Sequence, residues 1–569
     1  MKGKGWFCMQ AKPWLQYYPE EVAPNYEYPN KNLGSFLVDS ANKYPNQDAL
    51  YFMGKTISYE RLLDLSYRMA NAFKELGIRK GDRVAIMLPN SPQAVIAFYG
   101  ALLIGAVVVQ TNPLYKEREI SHQLSDAGAA AIVTLDQFYE RVNKVKDQTQ
   151  LKHMIITSIK DYLPFPKNVL YPIVAKKEGT AVKVVYGDGV HSFTKLIDNA
   201  SNSPICEEID AENDLALLQY TGGTTGTPKG VMLSHLNLIA NTIQSAKWSY
   251  KAVEGKERYL AALPIFHVFG LTVVLNQAIY HAASLILIPK FEVNMILETI
   301  RKMRPTMFPG APTMYIALIN NPNITNYDLS SINACISGSA ALPVEVQDRF
   351  EELTKGRLIE GYGLTEASPV THANPIWGRR KIGTIGIPFP DTDAKIVDPE
   401  TGEDVPIGEV GELIVKGPQV MKGYWNRKEE TFNELRNGWL FTGDMAMMDE
   451  EGYFTIMDRK KDMIIASGYN IYPREIEEVL FEHPAIKEAV VAGVKDPYRG
   501  ETVKAYIVLR DGEHVTAEEL EKWCRERLAA YKIPRLYAFR ESLPKTMVGK
   551  VLRRQLIEEE EAEIQKKKA

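Results

Sequence analysis

The chain has 569 residues, 45% of them hydrophobic and 24% charged, with a formal net charge of −4. That length allows several cores and more than one domain, and the composition is that of a globular protein rather than a disordered or fibrous one. The near-neutral balance leaves no electrostatic case for a nucleic-acid partner. Cys8, Cys206, Cys335 and Cys524 stand far apart, form no metal-type pair, and read as reduced thiols of a cytoplasmic protein. The first ten residues hold no apolar core long enough for a signal peptide.

In chain order, residues 49–59 read as a hairpin turning at Gly54-Lys55, and 59–76 as a helix that stops before Gly77. Residues 84–88 form a strand, and Ser91-Pro92 starts the next helix with a cap followed by proline in the first turn. Residues 94–109 are apolar almost throughout, yet a spanning helix wants about 18 such residues. Gly105 divides the stretch into a helix ending near Ile104 and a strand over 106–110. Strand and helix patterns keep alternating through 129–133, 282–288 and 291–303, which predicts stacked α/β layers.

Residues 163–185 differ. Leu163-Pro-Phe-Pro-Lys and Leu170-Tyr-Pro-Ile-Val-Ala-Lys-Lys mix apolar residues, prolines and lysines. Two readings stand: a plain surface loop, and a membrane-surface contact, since basic and apolar residues together favour anionic bilayers. After Pro375, strands and turns predominate over 382–416, with Asp398-Pro-Glu-Thr-Gly-Glu as a turn signal. Asp458-Arg-Lys-Lys-Asp462 is a charged run without an apolar anchor and reads as a hinge. A small α+β unit follows. Pro473 opens a helix with Ile476, Val479 and Leu480 on one face, strands lie at 489–494 and 503–509, and Thr516-x-x-Glu519 has capping-box spacing. Residues 558–568 read as a solvated tail. The expected fold class is therefore α/β: a large domain over 1–457, with stacked layers and a β-rich subdomain, then a small mobile α+β domain over 458–569 hinged at 458–462.

Several stretches carry chemistry. Tyr220-Thr221-Gly222-Gly223-Thr224-Thr225-Gly226-Thr227-Pro228-Lys229-Gly230 follows a short apolar strand. Its glycines let the backbone fold tightly and bring N–H groups up to a ligand. Such a nest suits phosphate, Lys229 adds a positive charge, and the threonines add hydroxyl donors. The common P-loop ends Gly-Lys-Ser/Thr so that a hydroxyl holds Mg²⁺; here Pro228 precedes the lysine and Gly230 follows it. In Glu360-Gly361-Tyr362-Gly363-Leu364-Thr365-Glu366, Tyr362 can stack on a purine, Thr365 can bond a phosphate oxygen, and Glu366 is a hard ligand suited to Mg²⁺. The small residues Gly338-Ser339-Ala340-Ala341 permit close approach of a flat ligand. Asp444, after a tight Gly443 turn, is an acceptor fitted to paired hydroxyls, or simply an Asx-type turn. Ser467-Gly468-Tyr469-Asn470-Ile471-Tyr472-Pro473 is at least a helix entry. His267, in Leu263-Pro-Ile-Phe-His-Val-Phe-Gly-Leu271, taken alone reads as a satisfied core residue, and Lys550, in Pro544-Lys-Thr-Met-Val-Gly-Lys550, as solvated surface.

Together and in this order the stretches resemble the motifs of the adenylate-forming (acyl-activating) superfamily, which includes acyl-CoA synthetases, luciferases and peptide-synthetase adenylation domains. The likeness covers essentially the whole chain and is strongest to bacterial long-chain fatty-acid–CoA ligases (long-chain acyl-CoA synthetases). Asn112-Pro-Leu-Tyr-Lys-Glu-Arg-Glu-Ile and Phe308-Pro-Gly-Ala-Pro-Thr-Met-Tyr are further matching stretches. The resemblance implies that Thr221, Gly222, Gly223, Thr224, Thr225, Gly226, Thr227 and Lys229 hold the ATP phosphates. Gly338, Ser339 and Ala340, with Glu360, Gly361, Tyr362, Gly363 and Thr365, would take the adenine and phosphate. Glu366 would carry Mg²⁺, Asp444 and Arg459 the ribose, and Ile456 would flank the base. Lys550 matches the catalytic lysine of a mobile loop, where it would stabilise charge developing at the α-phosphorus; Thr221, Glu366 and His267 are the other candidate catalytic residues. Lys461 is the expected hinge, with Ser467, Gly468 and Tyr469 bordering the path of the CoA thiol. The family places the His267 position near the acyl carboxylate, in a gate to the acyl tunnel. Some long-chain enzymes end that gate with Trp, where this chain has Leu271.

The activity implied is ATP-dependent formation of an acyl-adenylate from a long-chain fatty acid, then thioester formation with CoA as the small domain rotates. The implied co-substrates are ATP and CoA with Mg²⁺, and no nucleic acid takes part. Peripheral membrane contact at the inner face and a homodimer remain open beside a cytoplasmic location. Only a short tail follows Lys550, against a peptide-synthetase module. A medium-chain or aryl acid–CoA ligase of the same fold differs only in pocket depth. A non-catalytic nucleotide-binding protein would be favoured by loss of Lys550, Glu366 or Asp444, all of which are present. A P-loop kinase is disfavoured by the Pro-Lys-Gly ending.

Overall fold

The computed structural model describes residues 12–221, 228–466, 469–496, 500–546 and 551–568. Strands whose residues are apolar without alternation are covered on both faces, which is the habit of parallel sheets. Val107–Gln110 and Ala131–Leu135 are buried at every position. They lie inside an eight-stranded sheet whose spatial order is Gly423–Tyr424, Lys229–Ser234, Leu215–Thr221, Val107–Gln110, Arg83–Met87, Ala131–Leu135, His153–Thr157 and Val190–Ser192. Neighbours run parallel from Leu215–Thr221 to Val190–Ser192, and Lys229–Ser234 returns antiparallel beside Leu215–Thr221.

The long apolar stretch resolves as expected. Pro92–Leu103 is a helix buried at every position, and Ser91 Oγ accepts from the Ala94 N–H at 3.4 Å. Gly105, at φ 69°, releases the chain into the next strand. The helix is apolar all round because it is an inner layer, packed on the helix Tyr59–Glu75 and on the strands at 83–87 and 107–110. Each large side chain so buried contributes about 1.5–3 kcal/mol.

Two further four-stranded sheets complete the core of the large body. One runs Arg258–Ala261, Ser284–Leu287, Asp48–Phe52, Lys55–Ser58, so the hairpin predicted at 49–59 forms. The other runs Ala334–Ser337, Arg357–Gly363, Val370–Ala373, Ile387–Pro388. Met307 bridges both, pairing with Tyr259 and with Ala334. The β-rich region forms an antiparallel sheet of Asp393–Val397, Val410–Lys416, Trp439–Met448, Leu435–Arg436 and Phe454–Arg459. The Asp398 turn is present, its Oδ1 accepting from the Glu400 and Thr401 N–H groups at 2.9 and 2.7 Å.

The small lobe has a core of its own. Ile464, Ile471, Ile476, Leu480, Val491, Val503, Ile507, Leu520 and Cys524 pack on one face of its sheet, and Val490, Tyr506, Leu543 and Leu556 on the other. Thr516 forms the predicted capping box with Glu519. Two expectations change. The tail at 558–568 lies within a helix, Arg553–Lys568, docked by buried Leu556 and by pairs from Glu560 to Lys504 and from Glu559 to Arg540. Residues 163–185 are not wholly loop: Lys167–Lys177 is a helix, with Pro172 inside it. Cys206 is exposed, Cys335 and Cys524 are buried, and all three are free thiols; Cys8 lies outside the described residues.

Candidate functional site

The glycine- and threonine-rich stretch is anchored at both feet. Thr221 pairs with Lys229 at the open end of the ladder between Leu215–Thr221 and Lys229–Ser234. Gly222, Gly223, Thr224, Thr225, Gly226 and Thr227 lie outside the described residues. Lys229 is buried, its ammonium 3.7 Å from the Glu434 carboxylate and 4.8 Å from the centre of the Tyr424 ring. The Tyr424 hydroxyl in turn donates to Glu366 Oε1 at 2.8 Å and also contacts Glu434. Lysine, two carboxylates and a phenol thus form one cluster at the mouth of the loop. Burial, with Tyr424 and Arg459 opposing it, holds the Glu366 carboxyl above its ordinary range, and Glu434 adds to the rise. Burial and the two carboxylates raise the Tyr424 phenol as well.

A second cluster joins residues distant in the chain. The Tyr362 hydroxyl donates to Asp444 Oδ2 at 2.5 Å, and Arg459 Nε lies 3.4 Å from Asp444 Oδ1. Asp444 and Arg459 face each other in the ladder between Trp439–Met448 and Phe454–Arg459, so backbone register aligns them. Gly443, at φ 70°, makes the predicted turn before Asp444. Ile456 sits on the same strand as Arg459, opposite Ala446. Burial works against the Arg459 cation, but Asp444 and Tyr362 outweigh it and its pKa rises. Burial and Asp444 push the Tyr362 phenol well up.

Close approach explains the small residues. A Cβ on Gly338 would lie 3.0 Å from the Phe269 ring, and one on Gly361 2.9 Å from Ile336 Cγ2. On Gly363 it would lie 2.0 Å from the Pro369 carbonyl, so only glycine fits. Ser339 takes φ 72°, and Ala340 is exposed beside it. Thr365 opens a short turn, its carbonyl accepting from the Ser368 N–H at 3.2 Å. Glu360 is buried, and burial raises its pKa against the opposing pull of Arg474.

The contact of Phe269 with Gly338 ties the stretch 263–271 to the small-residue stretch 338–341. His267 is half-buried; its Nδ1 accepts from the Phe269 N–H at 3.3 Å. Gln219, on the strand that leads to the glycine-rich loop, donates to the Phe266 carbonyl at 3.1 Å. A π-helix, Gly270–Asn276, begins here with Leu271 fully buried; such widened turns gather at functional sites.

The charged run at 458–462 is less free than its composition suggests. Asp458 and Arg459 end the strand Phe454–Arg459, while Lys461 is exposed in the turn that follows. Asp458 is buried; it accepts from the Arg474 N–H at 2.9 Å and faces the Arg553 guanidinium at 3.3 Å. Arg553 also grips Glu477 at 2.7 and 2.8 Å and reaches Asp462 at 3.4 Å. Arg474 reaches back to the large body, 3.6 Å from Glu360. Tyr424, Glu434, Arg474 and Arg553 were not among the candidates from sequence. Pro473 ahead of Arg474 was the one local signal, and it marked only a helix start. Lys550, Ser467 and Gly468 lie outside the described residues; the backbone of Tyr469 pairs with Ala466.

Two cavities lie apart from these motifs. One of about 390 Å³ is lined by Asp136, Ser158, Lys160, Tyr186 and Lys195 among others; the other, of about 290 Å³, by Lys251, Lys355, Arg357 and Trp377 among others. The described residues contain no group of three or more His, Cys, Asp or Glu side chains placed to hold a metal. None of their helices is long and apolar enough to cross a membrane.

Residues 37–425 match the AMP-binding enzyme family, and residues 475–550 the AMP-binding enzyme C-terminal domain. The long-chain-fatty-acid–CoA ligase of Bacillus subtilis (strain 168) is 54% identical over 550 residues, covering 96% of this chain and 98% of its own length. The protein of the same name from Yersinia pestis is 40% identical over 557 residues, 96% of this chain and 98% of its own. Among solved structures, the anthranilate CoA ligase AuaEII in complex with anthranoyl-AMP superposes with a TM-score of 0.83 at 28% identity, over 93% of this chain and 97% of that one. ATP-bound MatB from Rhodopseudomonas palustris follows the same course with a TM-score of 0.79 at 32% identity, over 93% and 99%.

Proposed function

We infer the reaction from the premise that the chain belongs to the AMP-binding enzyme family. It is a long-chain-fatty-acid–CoA ligase, joining a fatty acid to CoA at the expense of ATP. The observation that carries this reading is the near-full-length kinship with the Bacillus subtilis ligase. In the first half-reaction a fatty carboxylate oxygen attacks the α-phosphorus of ATP; the bond to the β-phosphate oxygen breaks and diphosphate leaves. In the second, the CoA sulfur attacks the acyl carbonyl, AMP departs, and the thiol proton passes to solvent. No cysteine of the chain is needed as a nucleophile.

The site residues take their roles from both clusters. Asp444 and Arg459 would take the ribose hydroxyls, and the hydrogen bond from Tyr362 to Asp444 supports a ring held still for the purine to stack on. Thr221 and Lys229 bracket the phosphate loop, and the Glu434 carboxylate would yield the Lys229 charge to the incoming phosphates. Glu366, one of the two carboxylates beside that loop, suits Mg²⁺, which takes one or two protein carboxylates and completes its shell with phosphate oxygens and water. Bound there, the ion would neutralise charge on the phosphates.

We assign His267 to the acyl carboxylate, Lys550 to the adenylation half-reaction and Ser467, Gly468 and Tyr469 to CoA. The division into a body over 1–457 and a mobile domain over 458–569, turning about Lys461, belongs to the same reading. ATP and CoA as co-substrates favour a cytoplasmic working place at the inner face of the membrane. A homodimer is a further element of the proposal, to be read from sedimentation. The reaction is tested by following AMP and acyl-CoA from Mg·ATP, CoA and acids from acetate to oleate, with coumarate included. AMP and thioester with the long acids support it. A maximum with short or aromatic acids keeps the mechanism and overturns the pocket, and no AMP with any acid overturns the ligase reading.

A further inference from the structure

Most helices of the large body turn their apolar side chains inward, but Lys167–Lys177 does the opposite. Its inner stripe is short: Ala175 is buried and Tyr171 packs on the core. Residues four apart share a helix face, and the outward faces carry Val169 with Ile173 and Leu170 with Val174. These four are 62%, 68%, 51% and 46% exposed, and Phe165, just before the helix, is 82% exposed. Further along the same segment, Val185 and Tyr186 are 64% and 54% exposed. Scattered exposed apolar residues are ordinary, whereas a contiguous patch rimmed by polar groups marks an interaction surface.

Charge decides what covers it. Between residues 163 and 186 stand Lys167, Lys176, Lys177 and Lys183 against the single acid Glu178, in a chain whose net charge is −4. Lys176 and Lys177 close the apolar ridge at its C-terminal end, and both are exposed. Lys167 instead donates to the Met53 carbonyl at 2.9 Å and pins the start of the helix to the 48–58 hairpin. The element is therefore held on the body by one side while the other presents apolar side chains bounded at the C-terminal end by ammonium groups. A helix of this make lies in the headgroup boundary with its apolar face sunk toward the acyl chains. Its lysines gain about five-fold in binding each near an anionic surface. A second protein surface would need acidic groups at the rim and an apolar centre together, and an anionic bilayer supplies both at once.

We propose that the helix Lys167–Lys177, with Phe165, Val185 and Tyr186, docks this protein peripherally on an anionic lipid bilayer. Docking adds to the ligase reading a surface from which a sparingly soluble acid is drawn, yet it is measured without ATP or CoA, so either conclusion can fail alone.

The test is flotation of the full chain with vesicles of phosphatidylcholine, with and without phosphatidylglycerol. Wild type floats with the anionic vesicles. The double variant Val169→Ser/Ile173→Ser binds about ten-fold or more weakly, having lost two large apolar side chains. Lys176→Glu/Lys177→Glu loses the preference for phosphatidylglycerol and the response to salt. AMP release from a dissolved acid stays unchanged in both, as neither pair touches the site. Equal flotation of wild type and both variants overturns the proposal. So does a wild-type dimer that Val169→Ser/Ile173→Ser makes monomeric, because the patch would then belong to a second copy.

Discussion

At the edge of the large body, Asp444 and Arg459 stand opposite each other because two strands pair in that register, and Tyr362 meets them from a third strand. At the boundary with the small lobe, the contacts are made by the tips of long side chains. Arg474 extends to Glu360 and Arg553 reaches to Asp458 and Asp462. The same residue types therefore serve opposite ends. A carboxylate aligned by main-chain hydrogen bonds keeps its place whether or not a ligand is bound. Contacts made by side-chain tips can be exchanged for others without breaking a strand pairing, so a lobe held by them can leave one position and take another. The body carries preformed geometry, and the boundary carries replaceable contacts.

Acid gives the largest test of that contrast. Burial lowers His235 and His281 to about 4 and His372 to about 3, and all three lie in the large body. The unfolded chain takes up their protons from about pH 6.5 downward while the folded body does not. Stability is thus full above that value and is lost as pH falls toward 4, by about 3 kcal/mol for each histidine. Glu360, Glu366 and Asp458, raised by burial, act in the other sense, with stability falling as pH climbs through the carboxylate range. Hydrogen exchange at pH 7 and pH 4.5 should show protection lost first in the body. Earlier loss in the small lobe would break the contrast.

Next comes Lys550→Ala. Removing one aimed cation costs about 10²–10³-fold in the step it serves, so adenylate formation should fall by that factor while thioester formation from preformed acyl-adenylate persists. Equal losses in both half-reactions would mean that the two chemistries do not use different placements of the small lobe.

Arg553→Ala removes the guanidinium shared by Asp458, Asp462 and Glu477 and leaves buried Asp458 with only its backbone donors. The small lobe should lose about 2 kcal/mol, discounted from a fully buried pair because Arg553 is partly exposed. Urea melts followed by a label in the small lobe measure it, and an unshifted midpoint would show that the boundary is held by something other than this arginine. The smallest effect belongs to Tyr424→Phe. Losing a hydroxyl donor to Glu366 is worth about 1 kcal/mol, which reads as a rise of about five-fold in KM for Mg·ATP with kcat little changed. A fall in kcat at constant KM would move Tyr424 from ground-state positioning to the transition state.

Legibility followed distance along the chain. Gly105, Ser91-Pro92, the Asp398 turn and the Thr516 capping box act within a few residues, and each was readable. The tail at 558–568 was not, because its polar composition conceals a helix whose docking rests on Leu556, just upstream, and on pairs to distant Lys504 and Arg540. The segment at 163–185 hid a helix behind Pro166 and Pro172, residues that locally argue for loop. Tyr424 and Glu434 carry no motif of their own; only folding sets them on Lys229 and Glu366.

The sequence by itself determined the alternation of strands and helices, the turn chemistry and the order of the family's motifs, since propensity and capping are local energies. Tertiary structure alone decided that Tyr362 and Asp444 touch across 82 positions, that Arg474 and Arg553 bridge to the body and the boundary strand, and that Val169 and Ile173 face outward. Those outcomes depend on which strands pair and in which register, and on how much surface remains uncovered once the layers close. No short window of residues contains that information.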